Sequence, residues 1–177
     1  MYQPSSRFFR RFVAVAALVL ALPVFAQPDY TVFDPPRPTE NPDKIEVIEF
    51  FHYGCSHCKN LSKPLTAWIA KQPKDVDVRR IPVTFGQAAL VNLARLYYSL
   101  EAMGELDKLD LQIFEALHEQ RINLTSEPNM FEWLAKKGVN TQKFAQLFKS
   151  FGIDSKIRRG EQLQRDFQID GVPALVI

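Results

Sequence analysis

A short apolar strand that leads directly into two closely spaced cysteines is the feature that most constrains this fold. Residues 44–51 are apolar and partly β-branched, which is typical of a strand buried on both faces. A turn over residues 52–58 follows, and a helical spacing of apolar residues begins at Ser56. Cys55 and Cys58, the only cysteines in the 177 residues, therefore lie where a buried strand ends and a helix begins.

The spacing of the two cysteines favours a redox role over a structural one, because a disulfide between them closes a loop too small to stabilise a fold much. A sulfur at the first turn of a helix lies beside unpaired backbone N–H groups, which together with the helix dipole favour a thiolate. Such a thiolate is a good leaving group, so a Cys55–Cys58 disulfide is easily attacked by other thiols. His57 adds a donor or a positive charge, and Cys58, one turn in, is expected to be the buried resolving thiol.

Zinc binding is the competing use of such a pair. A zinc site takes about four ligands, and the chain offers no second cysteine pair, only His52, His57 and the distant His118. We expect His118 to be solvated on a polar helical stretch. The pattern favours redox chemistry, and we expect no metal and no cofactor other than the redox-active disulfide itself.

The rest of the chain is predicted to form a second strand, a block of helices and a last strand. A second strand is predicted over residues 76–85, with a bend at Pro82, and a last strand over residues 174–177. Helical spacings between them predict helices over residues 88–103, 105–119, 129–137, 141–151 and 154–167. This order indicates an α/β fold with a helical insertion.

Two further expectations concern smaller pieces of the chain. In the helix predicted over residues 141–151, the aromatic side chains at helical spacing are expected to point into the core: Phe144, Phe148 and Phe151. A short β-like piece at residues 30–33 is expected in an N-terminal arm.

The first 26 residues have the three parts of a secretory signal peptide. Arg7, Arg10 and Arg11 precede an apolar run over residues 12–22, and small residues lead to a cleavage site before Gln27. The apolar run is shorter than the roughly 20 residues that a membrane span needs. Without this leader, 19 basic residues face 20 acidic ones, so charge gives no support for nucleic-acid binding.

The segment over residues 47–58, VIEFFHYGCSHC, resembles the active-site region of the DsbA family of periplasmic thiol:disulfide oxidoreductases. Residues 171–174, GVPA, resemble the cis-proline loop of that family. The resemblance implies a thioredoxin-like fold with an inserted helical domain. It also implies that Cys55 is the exposed nucleophile, Cys58 its resolving partner and His57 a residue that tunes the pair. Pro173 is implied to be a cis proline packed against the disulfide, with the Val172 backbone pairing with an extended substrate.

Glu49 is an acid inside a strand that is predicted to be buried, which is costly without a partner or a task. One interpretation, which the resemblance supports, is an acid beneath the active site that relays protons to the inner cysteine. The other is a salt-bridged glutamate at the edge of the strand. Ser56 departs from the proline that the family often has there, which leaves open how oxidising the pair is.

The resemblance implies a domain organisation and a set of partners. We predict a signal peptide over residues 1–26, a first thioredoxin-like part over 27–86, a helical insertion over 87–152, and an incomplete return to the thioredoxin-like domain over 153–177. A further strand and a closing helix are expected after Ile177, where the sequence looks truncated. The implied partners are unfolded exported proteins as substrates and a quinone-linked inner-membrane reoxidase, with the protein itself a monomer in the periplasm.

Two rival functions remain open from the sequence. A periplasmic disulfide reductase or isomerase would carry a more reducing pair, and the residues before the first strand are too few for the dimerisation domain that such proteins usually have. A redox-inactive chaperone or metal-delivery module would use the cysteines and a histidine for binding alone, and tight metal binding would then release thiol protons.

Overall fold

The computed structural model describes residues 30–177. The chain divides into two units, one ending at Pro38 and one spanning Thr39–Ile177. The described residues of the first unit form no strand, so the β-like piece expected at residues 30–33 is wrong. The predicted signal peptide lies outside the described residues. Within residues 30–177, no helix is both long enough and apolar enough to cross a membrane.

The strands and helices of the second unit follow the predicted order. They are, in chain order, β1 (Ile45–Phe51), α1 (Ser56–Ile69), β2 (Val76–Pro82), α2 (Ala88–Met103), α3 (Leu106–His118), α4 (Glu127–Lys136), α5 (Thr141–Phe148), α6 (Phe151–Asp166) and β3 (Ala174–Val176). The helices α2 to α5 form the helical insertion, which is the fold class that the sequence predicts.

The strand β1 is the centre of the described sheet, whose order is β2-β1-β3. It pairs in parallel with β2 and antiparallel with β3. All its residues except Ile45 are buried, as expected for a strand covered on both faces. The end of β1 therefore delivers residues 52–58 to a fixed position at one edge of the sheet.

The core of the helical insertion forms around α2, which packs against α3, α5 and α6. Its buried side chains include Leu93, Leu96 and Leu100. Phe144 and Phe148 from α5 pack edge-on or tilted against each other and Phe131, so their expected core position is confirmed. This packing makes the insertion a rigid support for the residues that it carries toward the sheet.

The break between the last two predicted helices lies earlier in the chain than expected. The helix expected over residues 141–151 ends at Phe148, and the Ser150 hydroxyl then accepts a hydrogen bond from Ile153 N–H and so begins α6. Phe151, the first residue of α6, is 78% exposed, so its expected core position is wrong. The predicted boundary between residues 152 and 153 lies inside α6.

The helix α6 approaches the sheet closely at Gly160. A Cβ atom there would lie 3.1 Å from Ile81 Cγ2 and 3.4 Å from the Tyr98 hydroxyl. At Gly152, near the start of the same helix, a Cβ would meet nothing closer than 3.9 Å. Of these two glycines in α6, only Gly160 is required by packing.

We predict that Gly160→Val lowers the free energy of unfolding by about 1–3 kcal/mol, because a branched side chain overpacks the contact between α6 and β2. Gly152→Val places the same side chain on the same helix in open space and should leave stability within about 0.5 kcal/mol. Urea denaturation of the two variants beside the unmodified protein checks this. Equal denaturation midpoints for the two variants would show that the contact at Gly160 accommodates a larger side chain.

Candidate active site

The two cysteines lie at the start of α1, as the sequence predicts. Cys55 is the N-cap residue, and its Sγ accepts a hydrogen bond from Cys58 N–H at 3.2 Å. The Cys55 backbone N–H donates to the His52 carbonyl at 3.0 Å, which closes the turn. Both cysteines are thiols in the structure, Cys55 half-buried and Cys58 fully buried. A sulfur at Cys55 is thus the one that a second protein can reach.

The loop before β3 faces Cys55. The Val172–Pro173 peptide bond is cis, in agreement with the resemblance. The Cys55 thiol donates to the Val172 carbonyl oxygen at 3.4 Å, across 117 residues of sequence. The fold therefore brings together the two motifs that were singled out separately, and it leaves the Val172 backbone next to the accessible sulfur.

Burial makes Cys58 chemically different from its neighbour. The pKa of the Cys58 thiol is raised to about 12, mostly by removal from water and further by the hydrogen bond with Cys55 and the negative charge of Glu49. A group with so high a pKa stays protonated at neutral pH. In the reduced protein Cys58 is therefore a buried thiol that must lose a proton before it can attack a disulfide.

Glu49 lies on the central strand β1 and is fully buried. Its Oε2 accepts from Arg80 Nε at 2.5 Å. Burial raises the pKa of Glu49, and the charge and hydrogen bond of Arg80 oppose that rise. Glu49 is thus salt-bridged, as one interpretation held, but not at a strand edge. It also lies close enough to Cys58 for its charge to act on that thiol.

Arg80 and Asp110 complete a buried polar network that the sequence patterns did not reveal. Arg80 Nη1 donates to Asp110 Oδ2 at 2.7 Å, and the Tyr53 hydroxyl donates to Asp110 Oδ1 at 2.6 Å. The guanidinium carbon of Arg80 lies 4.3 Å from the centre of the Phe51 ring. The one sequence signal was Asp110 itself, an acid that lies between Leu109 and Ile113 on the apolar side of a helix.

The three histidines have different surroundings. His57 is exposed on the first turn of α1. His118 is not solvated as expected: its Nε2 lies 2.7 Å from the Tyr53 carbonyl oxygen, which can only accept, so Nε2 carries a proton. His52 packs edge-on against Phe85, and burial lowers its pKa, with a smaller contribution from His118. Among residues 30–177, no three His, Cys, Asp or Glu side chains come together as metal ligands.

A parallel strand ending in a Cys-x-x-Cys helix cap, opposite a cis-proline loop, defines a thioredoxin-like thiol:disulfide oxidoreductase. Comparison with known proteins agrees. The profile of the DSBA-like thioredoxin domain matches residues 46–177. The thiol:disulfide interchange protein DsbA of Bordetella parapertussis is 36% identical over 179 residues, covering 97% of this chain and 84% of the relative.

Solved structures give the same result. A crystal structure of DsbA from Pseudomonas aeruginosa has a TM-score of 0.75 and 35% identity, covering 80% of this chain and 73% of that chain. The oxidoreductase NmDsbA1 from N. meningitidis has a TM-score of 0.70 and 28% identity, covering 80% and 74%. The chain belongs to the DsbA-like thioredoxin family, and it is a thiol:disulfide oxidoreductase.

We predict that iodoacetamide at pH 8 modifies reduced protein at Cys55 and leaves Cys58 unmodified, because Cys58 is buried and its pKa of about 12 keeps it a thiol. Fragment-ion mass spectrometry of the peptide that holds both cysteines locates the label. Protein unfolded in guanidinium is the control and should be labelled at both. Early labelling of Cys58 in the folded protein would mean that its sulfur is not shielded.

Proposed function

We propose that this protein donates the Cys55–Cys58 disulfide to newly exported proteins in the periplasm. The observation that carries the proposal is the asymmetry of the pair. Cys55 is accessible and receives a backbone N–H at its sulfur, whereas Cys58 is buried and holds its proton. An outer sulfur that leaves easily as a thiolate makes a disulfide a good oxidant.

The reaction proceeds through two exchanges. A substrate thiolate attacks Cys55 of the oxidised pair, the bond between Cys55 and Cys58 breaks, and Cys58 leaves and takes up a proton. A second thiolate of the substrate then attacks the first substrate sulfur, and Cys55 leaves as a thiolate. The substrate has lost two electrons and gained a disulfide, and the two cysteines have gained those electrons.

The loop at Val172 and Pro173 is proposed to hold the substrate. The Val172 carbonyl lies 3.4 Å from Cys55 Sγ, so an extended chain that pairs with this backbone places its own sulfur beside Cys55. Backbone pairing reads no particular side chain, which suits an enzyme that acts on many unfolded proteins. We propose that exposed His57 tunes the pair at its outer side.

Glu49 is proposed to exchange the proton that Cys58 gains and loses. Its raised pKa, caused by burial, keeps a proton available above the usual range of a carboxyl group. Its charge is felt at Cys58, so protonation of Glu49 and ionisation of Cys58 favour each other. When Glu49 accepts the proton of Cys58 it becomes neutral, and the negative charge that opposes the Cys58 thiolate is removed in the same step.

Localisation and partners complete the proposal. The predicted leader supports export to the periplasm, and the curated relatives are named thiol:disulfide interchange proteins. Each turnover leaves the pair reduced, so an oxidant must restore it, and we propose a quinone-linked inner-membrane reoxidase. The protein is proposed to act as a monomer, with no nucleic acid and no cofactor besides its disulfide.

The redox equilibrium of Cys55/Cys58 in glutathione buffers tests the direction of electron flow. We expect half reduction at a potential above the roughly −270 mV of thioredoxin and above the cytosolic glutathione poise of about −220 to −260 mV. A value near that of thioredoxin would contradict disulfide donation and favour the reductase. In parallel, Cys58→Ser should accumulate a mixed disulfide with a reduced unfolded protein, and Cys55→Ser should not.

We predict that Glu49→Gln slows the release of glutathione from a Cys55–glutathione mixed disulfide at pH 7 by roughly 100-fold, the lower end of what a positioned acid or base contributes. In this step Cys58 attacks Cys55 and must lose its proton. Acid quenching followed by mass spectrometry measures the rate.

Glu46→Gln is the matched control for that variant. Glu46 lies on the same strand, is also buried, and accepts from Arg79 Nη1 at 2.7 Å. The Glu46→Gln variant also loses a buried glutamate charge from β1, although Arg79 keeps Glu40 as a partner. Its rate of glutathione release should stay close to that of the unmodified protein. Similar slowing in both variants would show a general effect of weakening β1 and would remove Glu49 from the proton path.

A further inference from the structure

One face of α3 contacts Tyr53, two residues before Cys55, at three points. Asp110, Phe114 and His118 are spaced four apart, which puts them on one side of a helix. Asp110 accepts from the Tyr53 hydroxyl at 2.6 Å, the Phe114 ring centre lies 4.8 Å from that of Tyr53, and His118 Nε2 donates to the Tyr53 carbonyl at 2.7 Å. The helical insertion thus holds the turn that carries the cysteines.

Asp110 also contacts the sheet, through Arg80 on β2. Arg80 donates through Nε to Glu49 and through Nη1 to Asp110, so one cation serves two carboxylates. Among the described residues, Glu49 Oε1 and Arg80 Nη2 have no hydrogen-bond partner. Two negative charges against one positive charge leave an excess that a buried site tolerates poorly.

Glu49 carries the uncompensated negative charge, because it is more deeply buried than Asp110. The Glu49 side chain is wholly inaccessible, whereas that of Asp110 is 9% exposed and also receives the Tyr53 hydroxyl. Asp110 also lines a cavity of about 960 Å³ at the side of the sheet. Glu49 has fewer donors and less access to water, so its negative charge is the less well compensated of the two.

Within residues 30–177, the remaining groups around Glu49 do not supply another charge partner. From α1 it faces Cys58, which is a thiol at neutral pH because burial raises its pKa. Tyr97 from α2 acts on Arg80 and Asp110, and burial raises its pKa as well, so it is neutral. The strand β3, Ala174–Val176, brings no titratable side chain.

We propose that Asp110 is a positioning residue for the redox reaction: by occupying one side of Arg80 it leaves Glu49 incompletely neutralised, so that Glu49 keeps its proton to a higher pH for exchange with Cys58. The charge of Asp110 raises the pKa of Glu49, after burial, which raises it most, and against Arg80, which lowers it. The inference rests on the proposed proton exchange by Glu49 and adds a residue of the helical insertion to it.

The test compares Asp110→Asn with the unmodified protein in the reduced state. Asparagine keeps the shape and the Tyr53 contact and removes the charge. We expect the ¹³C signal of the Glu49 carboxyl to titrate about one pH unit lower in Asp110→Asn, since a charge at this range shifts a carboxyl by that order. The pH profile of glutathione release from the Cys55 mixed disulfide should move in the same direction.

Two further variants separate positioning from general effects. Asp107→Asn removes an exposed charge from the same helix and should leave the Glu49 titration unchanged. Asp110→Glu restores the charge and should move the titration back toward that of the unmodified protein. An unchanged Glu49 titration in folded Asp110→Asn, or an equal shift in Asp107→Asn, overturns the proposal.

If Asp110→Asn does not fold, the unmodified protein decides the question. Two carboxyl groups that share one guanidinium are coupled, so the Glu49 signal should show two inflections. A single-step Glu49 curve overturns the proposal. The carboxyl titration does not depend on the direction of electron flow, so a failure of the proposed disulfide donation is recognised separately, by the redox equilibrium alone.

Discussion

The buried guanidinium of Arg80 is the interaction on which the arrangement of this site depends. A charge removed from water is strongly destabilising unless opposite charges and hydrogen bonds compensate it. The compensation here comes from two elements, Glu49 on β1 and Asp110 on α3, and from the face of the Phe51 ring. Because losing either carboxylate leaves one of the Arg80 N–H groups without its acceptor, the network fixes α3 against the sheet in one arrangement.

The two cysteines differ in chemistry because the fold places them in different surroundings. The end of β1 sets the turn, the turn makes Cys55 the cap of α1, and one helical turn then carries Cys58 into the core. The outer sulfur receives a backbone N–H and faces the Val172 carbonyl, whereas the inner sulfur loses its water and faces the charge of Glu49. The asymmetry follows from position alone, since the two side chains are identical.

Sequence patterns predicted the parts of this site that are local and failed for the parts that depend on packing. Cys55 and Cys58 were predictable because the strand, the turn and the helix that position them are contiguous. Arg80 and Asp110 were not, because they are 30 residues apart and meet only when α3 packs against the sheet. The same holds for His118, whose polar surroundings in sequence concealed its contact with Tyr53.

The helical insertion is therefore more than a cover for the sheet. A helix that only filled space over β1 would present apolar side chains. A buried carboxylate among them would destabilise the fold without any compensating interaction. The helix α3 instead presents Asp110 to Arg80 and holds Tyr53 at its hydroxyl, ring and carbonyl. Any rearrangement of α3 moves the turn before Cys55 and changes the charge balance at Glu49 together. The geometry of the dithiol and its proton supply are thus set by the same helix, which ties redox reactivity to correct packing of the insertion.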